Sequence, residues 1–356
     1  MSQSRLIGLL ATVALVAACT TGPGATSTAP QATGTPTIAP SPTGQAWPDR
    51  LVIGFVPSRE AAALVETIQP IADHLTTELG ITVEGYVSTD YPALVVAMQT
   101  DQAQIGAFGP FAMLQAVDRA GAEIILQSER NGSATYHTQF MTNNPDRYCT
   151  ISPPVENERE SNINPGTFLN CNGTERGPTD TPEGPIGTEA ISQIPDGTGV
   201  SFVNETSASG YIFPATVLIT SGVALEDIAP SYPGSHDGSA VAVCQGANSD
   251  AADRVEVGVS FDDARSEVAA PPADCSLNED VVVFAYGPEI PNDGIVVDGD
   301  LPDDLKQAIK QALIDYAESE EGNEVLGTVY NITAFADPNL DALQIVRDAA
   351  RELGIE

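Results

Sequence analysis

From Leu51 to Ser128 the chain alternates short apolar runs with amphipathic stretches, an order that few architectures satisfy. LVIGFV (51–56) has the length and composition of a strand. Leu64, Ile68, Ile71, Leu75 and Leu79 then recur at three- and four-residue spacing, with Gly80 placed to end the helix they mark. ITVEGYV (81–87) alternates as a strand does, and Pro92 opens a helix over 92–102. AQIGAF (103–108), a helix over 111–121 and AEIILQS (122–128) extend the series. The βαβαβαβ order predicts an α/β fold, a parallel sheet with helices on its faces.

YHTQFMTNN (136–144) reads as a strand entering a second lobe. Residues 146–185 are polar, rich in Gly and Pro and without periodicity, which predicts a surface insertion rather than a domain. The βα pattern resumes with a strand at 199–204, a helix over 211–222, a helix over 238–247 and a strand at 254–261. VVVFAYG (281–287) reads as the strand that returns the chain to the first lobe, and helices over 303–319 and 340–354 close it. The expected boundaries are 48–133 for the first part of lobe 1, 134–280 for lobe 2 and 281–356 for the return.

Ahead of this body, Arg5 precedes an apolar run (6–18) that is too short to span a bilayer and stops at Cys19. Residues 1–18 read as a signal peptide and Val16-Ala17-Ala18-Cys19 as a lipobox-like site, with Cys19 as the lipid anchor. Residues 19–47 form an uncharged Thr/Pro/Gly/Ala tract, a flexible tether. The expected location is the periplasm or cell surface, on the outer face of a bacterial cytoplasmic membrane.

Export makes disulfides plausible for Cys149, Cys171, Cys244 and Cys275. Four cysteines allow three connectivities. Nearest-neighbour pairing is the expectation, because each pair brackets a polar, turn-rich segment. No CxxC or His cluster accompanies them, so neither a metal nor a cofactor is expected. The net charge of −35 excludes a general nucleic-acid binder.

In open α/β sheets ligands sit beyond the carboxyl ends of strands, at helix N-termini. Here those turns carry Ser58, Tyr91, Phe108-Gly109 and, within NETSASGY (204–211), Thr206, Ser207 and Ser209 ahead of Gly210. Such a hydroxyl-rich turn is able to hold an anion with no positive side chain. Taken alone it is more often a plain helix cap. His236 read alone is a helix-start residue, Asp263 a cap and Asp293 part of a Pro-Asn-Asp-Gly turn.

The blocks STDYPALVVAMQ (88–99), GAFGPFAMLQAVDRAG (106–121), ETSASGYIFP (205–214), GSHDGSAVAV (234–243) and EIPND (289–293) change that balance. In this order they resemble the phosphonate/phosphite-binding proteins of ABC importers, over Leu51 to about Tyr316. The resemblance implies a type II periplasmic-binding-protein fold, two lobes closing on a ligand. It also implies phosphonate oxygens held by Tyr91, Ser207, Ser209 and His236, with Asp263 and Asp293 near the substituent end. Ala208 stands where relatives can have Thr, and Phe108 where they can have Tyr, and each departure removes a hydroxyl. The implied protein is a monomeric binder, not an enzyme, partnered by an ABC permease and ATPase. Two other classes compete: a secreted serine hydrolase using Ser207 or Ser209 with His236 and Asp263, and a surface sensor of the same fold.

Overall fold

The computed structural model describes residues 46–355, apart from Glu60, 151–152, Asn162, 176–183, Asp250 and 252–253. The expected signal peptide, Cys19 and the tether through residue 45 lie outside the described residues. Strands β1 (Arg50–Phe55), β2 (Thr82–Val87), β3 (Ile105–Phe108) and β4 (Glu123–Glu129) alternate with helices α1 (Ala61–Leu79), α2 (Tyr91–Gln99) and α3 (Pro110–Ala120). Leu64, Ile68, Ile71, Leu75 and Leu79 are all buried, as their spacing requires. Gly80 follows with φ +65°, a left-handed conformation that costs glycine little.

The chain then crosses to β5 (Thr135–Thr142), α4 (Pro145–Tyr148), β6 (Val155–Arg159), β7 (Gly166–Asn170) and β8 (Gly199–Ser201). A π-helical turn, Ala208–Ile212, runs directly into α5 (Phe213–Thr220). After it come β9 (Ala229–Ser231), α6 (His236–Ala247), β10 (Val255–Phe261), α7 (Leu277–Asp280) and β11 (Val282–Pro291). The return comprises β12 (Gly294–Val297), α8 (Asp303–Glu318), α9 (Glu320–Tyr330), β13 (Ala334–Ala336) and α10 (Gln344–Glu352).

Two sheets result, ordered β13-β4-β12-β3-β1-β2 and β6-β7-β11-β5-β10-β8-β9. In the first, β1, β2, β3 and β4 run in one direction, and β12 is inserted antiparallel between β3 and β4. β12 is a four-residue run, GIVV, buried throughout, and too short for periodicity to reveal. The apolar face of α1 packs with Leu305, Ile309 and Leu313 of α8 on one side of this sheet. On the other side α2, α3 and α10 share a buried cluster with Ala208, Ile212 and Phe213 of the second lobe.

Two expectations are corrected, and one helix is added. β11 does not return the chain to lobe 1: it pairs with β5 and β7 along the second sheet, so the crossing falls at 292–293 and lobe 2 extends past 280. Residues 146–185 are more than a surface insertion. β6 and β7 form a hairpin that joins the second sheet through a parallel β7–β11 pair, although their mixed polar sequence carries no alternating signal. Helix α9 was also not legible, because Gly322 and Gly327 weaken its pattern; a Cβ on Gly322 would lie 1.8 Å from the Tyr316 carbonyl oxygen. Cys149 pairs with Cys171 and Cys244 with Cys275, the nearest-neighbour connectivity, with Cα–Cα distances of 5.0 and 5.5 Å.

Candidate functional site

A cavity of about 100 Å³ lies between the two sheets. Lobe 1 contributes Val56 and Ser58 beyond β1, Tyr91 at the start of α2, and Phe108 and Gly109 where β3 meets α3. Lobe 2 contributes Ser207, Ala208 and Ser209 ahead of α5, His236 at the start of α6, and Phe261 and Asp262 at the end of β10. The first residues of four helices therefore meet at one place. Each helix N-terminus acts as roughly half a positive charge and presents unpaired amides.

NETSASGY builds one of these ends. Asn204 Oδ1 accepts from both the amide (3.0 Å) and the hydroxyl (2.7 Å) of Thr206, closing a turn. Thr206 thus stiffens the turn and does not line the cavity. Ser207 is the N-cap: its Oγ accepts from the Gly210 amide at 3.1 Å, which leaves its own proton to donate. The amides of Tyr211 and Ile212 both reach the Ser207 carbonyl at 3.0 Å. The amides of Ala208 and Ser209, first in the helix, have no intrahelical acceptor. Gly210 permits close packing, since a Cβ there would lie 2.4 Å from Val203 Cβ.

His236 is 4% exposed, and its Nδ1 lies 3.1 Å from the Phe261 amide. A backbone amide only donates, so Nδ1 is the acceptor and the ring proton sits on Nε2. Nε2 in turn lies 3.5 Å from Ser207 Oγ. Burial, with Arg59 nearby, lowers the imidazole pKa to about 3, so the ring is a neutral donor at physiological pH. The Tyr136 phenol hydrogen-bonds with Ser209, and burial holds it well above the ordinary tyrosine range.

Asp263 does not line the cavity, contrary to expectation. Its carboxylate is buried against Arg265 (2.7 Å) and Gln139 (3.0 Å), and it caps the turn that follows β10. Burial alone would raise its pKa, but Arg265, Arg159 and Gln139 outweigh that and lower it to about 2. Its neighbour Asp262 is the cavity residue, 3.4 Å from Arg159 Nη2 on β6. Asp293 lines the cavity and is bound to Arg130 at 2.5 Å. His236 Nδ1 is thus taken up by a backbone amide, and among the described residues Ser207, His236 and Asp263 do not form a chain of hydrogen bonds.

Sequence reasoning missed Arg59, Arg130, Tyr136, Phe261, Asp262 and Asn331, all on the cavity wall. Arg59 and Arg130 modify the expectation of a wall without positive side chains. Arg59 is 4% exposed, 5.9 Å from the Phe261 ring centroid and 2.8 Å from Glu267. One signal was available: Arg59 and Arg130 each follow the carboxyl end of a strand of the first sheet, in a chain with only 14 basic residues.

Residues 53–343 match the family described as "ABC transporter, phosphonate, periplasmic substrate-binding protein". Among curated proteins, the phosphate-import protein PhnD of Mycolicibacterium smegmatis (strain ATCC 700084 / mc(2)155) is 24% identical over 220 residues, which span 58% of this chain and 55% of the relative, little more than half its length. Among solved structures, PhnD1 from Prochlorococcus marinus (MIT 9301) in complex with methylphosphonate has a TM-score of 0.65 and 16% identity, over 86% of this chain and 98% of that one. A binding protein component of an ABC phosphonate transporter from Pseudomonas aeruginosa has a TM-score of 0.63 and 19% identity, over 85% and 86%. These likenesses establish the two-lobe type II fold.

Proposed function

This chain belongs to the periplasmic phosphonate substrate-binding proteins of ABC transporters, and from that premise we propose that its cleft captures a phosphonate, phosphite or related phosphorus oxyanion and delivers it to an ABC permease and its ATPase. One observation carries the reading: four helix N-termini converge on a cavity that also holds the uncharged donors Ser207, Ser209 and His236. Oriented amides and hydroxyls bind an oxyanion without needing a net positive surface. Tyr91, Ser58 and Gly109 complete the cradle from lobe 1, with Phe108 and Ala208 as apolar wall.

We read the protein as a monomeric binder rather than an enzyme. A serine hydrolase needs an unprotonated nitrogen facing the nucleophile, whereas the Nε2 that faces Ser207 carries the proton. A sensor would use the same cleft and differ only in its downstream partner. Among the described residues no helix is long and apolar enough to cross a membrane. Membrane attachment in this reading comes from Cys19 after removal of residues 1–18.

The test is thermal unfolding with phosphate, phosphite, methylphosphonate and sulfate. A ligand at one hundred times its dissociation constant stabilises by roughly 2.7 kcal/mol. A shift with at least one phosphorus oxyanion and none with sulfate supports the reading; no shift with any phosphorus oxyanion overturns it.

A further inference from the structure

The carboxylates around the cavity are matched one by one with arginines. Asp293 is bound to Arg130 at 2.5 Å, and both side chains are 22% exposed. Asp262 lies 3.4 Å from Arg159, both almost fully buried. Arg130 itself lines the cavity, 5.9 Å from the Tyr136 ring centroid.

The Arg130–Asp293 pair is also fixed in place. Arg130 directly follows β4, where the chain leaves lobe 1, and Asp293 directly precedes β12, where it returns. The Asp293 carbonyl accepts from the Ser128 amide at 2.9 Å. The Asn292 side-chain amide donates to the Ser128 and Ser133 carbonyls at 2.9 Å each. The backbone at Asn292 and Asp293 is therefore held against the end of β4, which keeps Asp293 beside Arg130.

Resting on the anion-binding reading above, we propose that this cleft takes phosphorus oxyanions that lack an ammonium group, and that the Arg130–Asp293 pair is its specificity-determining element. An aminoalkylphosphonate brings an ammonium that needs a carboxylate to accept it. Here that ammonium meets a carboxylate already engaged, with a guanidinium beside it. Two like charges beside one carboxylate repel, which offsets any bond the desolvated ammonium makes to Asp293. An uncharged substituent meets no such opposition, and Val56, Phe108 and Phe261 give it apolar surface.

The test uses two ligands of equal heavy-atom count, n-propylphosphonate and 2-aminoethylphosphonate, with methylphosphonate as reference, by calorimetry at neutral pH. The wild type is expected to bind n-propylphosphonate at least about tenfold tighter than 2-aminoethylphosphonate. Arg130→Gln releases Asp293 and should reduce that ratio by about tenfold or reverse it. Arg130→Gln/Asp293→Asn should restore discrimination against the ammonium. A wild type that prefers 2-aminoethylphosphonate overturns the proposal whether or not the variants fold. Rejection of both longer ligands while methylphosphonate binds also overturns it, since size would then set the selection. Absence of binding by all three is a different result, which removes the functional reading beneath the proposal.

Discussion

Glu267→Gln isolates the contribution of lobe closure, because Glu267 does not line the cavity yet holds Arg59, which does. Arg59 follows β1 in lobe 1, and Glu267 follows β10 in lobe 2. Their 2.8 Å ion pair is 4% and 3% exposed at the two side chains, so both charges leave water only when the lobes meet. Glu267 also accepts from Asn331 Nδ2 at 3.0 Å, a second tie to lobe 1, and from Ser161 at 3.1 Å. Removing one partner of a buried pair strands the other charge, at about 3–5 kcal/mol. A two-lobed protein has an escape that a single core lacks: opening rehydrates Arg59. The penalty then falls on closure rather than on folding.

The apparent dissociation constant scales inversely with the fraction of molecules able to close. A closure penalty of about 3 kcal/mol predicts roughly a hundredfold weaker methylphosphonate binding in Glu267→Gln. The ligand-free melting temperature should move little. Calorimetry gives the affinity, and X-ray scattering with saturating ligand gives the compaction. Wild-type affinity in the variant would refute the reasoning. So would a large fall in ligand-free melting temperature with affinity unchanged, since the pair would then belong to the folding core.

Further outcomes follow from the same geometry. Ser207→Ala/Ser209→Ala should weaken phosphite or methylphosphonate binding by roughly 1.5–3 kcal/mol per charge-assisted bond lost; wild-type affinity by calorimetry would exclude this turn as the anion site. His236 has its pKa lowered from 6.5 to about 3 by burial and Arg59, so between those values the unfolded chain binds a proton that the folded chain does not. Stability is therefore lost as pH falls below 6.5, by roughly 1.4 kcal/mol per pH unit at most, and His236→Gln should flatten the wild-type decline in melting temperature between pH 6.5 and 4.5; parallel curves for the two proteins would count against a buried neutral ring. Cys19→Ser should release the protein from the membrane fraction with ligand binding intact, and unchanged retention would exclude Cys19 as the anchor.

The elements that the sequence made legible are those with a repeating burial pattern. Helix α1 writes its buried face at three- and four-residue spacing, β1, β3 and β4 are apolar runs bounded by turns, and β2 alternates. β12 is four residues in the centre of a sheet, without the length to show a period. The β6–β7 hairpin is held at the sheet edge by pairing with β11 and by the Cys149–Cys171 bridge, neither of which leaves an alternating apolar trace. At the site, hydroxyls and glycines in helix-start turns could be read because capping is local: Ser207 bonds to an amide three residues on. The arginine–carboxylate matches could not be read. Arg130 and Asp293 are 163 residues apart, and Arg159 reaches Asp262 from a hairpin with no recognisable pattern.

Under the proposed function, those matches bear on how a chain of net charge −35 would hold an anion. Around the cleft, Asp262, Asp263, Asp293 and Glu267 are bound to Arg159, Arg265, Arg130 and Arg59 respectively. Four of the chain's 14 basic residues are thus spent at one place, which leaves the cleft wall close to neutral while the acidic excess lies elsewhere. At physiological salt the field of exposed charges is screened over about 8 Å, so distant carboxylates slow the approach of an anion more than they oppose its binding. Inside the cavity the helix-start amides, Ser207, Ser209 and the neutral His236 act at hydrogen-bond distance, where screening is weakest. Had His236 carried a charge, it would have faced the Arg59 guanidinium; its burial as a neutral donor lets both groups share the wall. Affinity in such a site comes from oriented dipoles, and the arginines serve first to cancel the carboxylates that would otherwise repel the ligand.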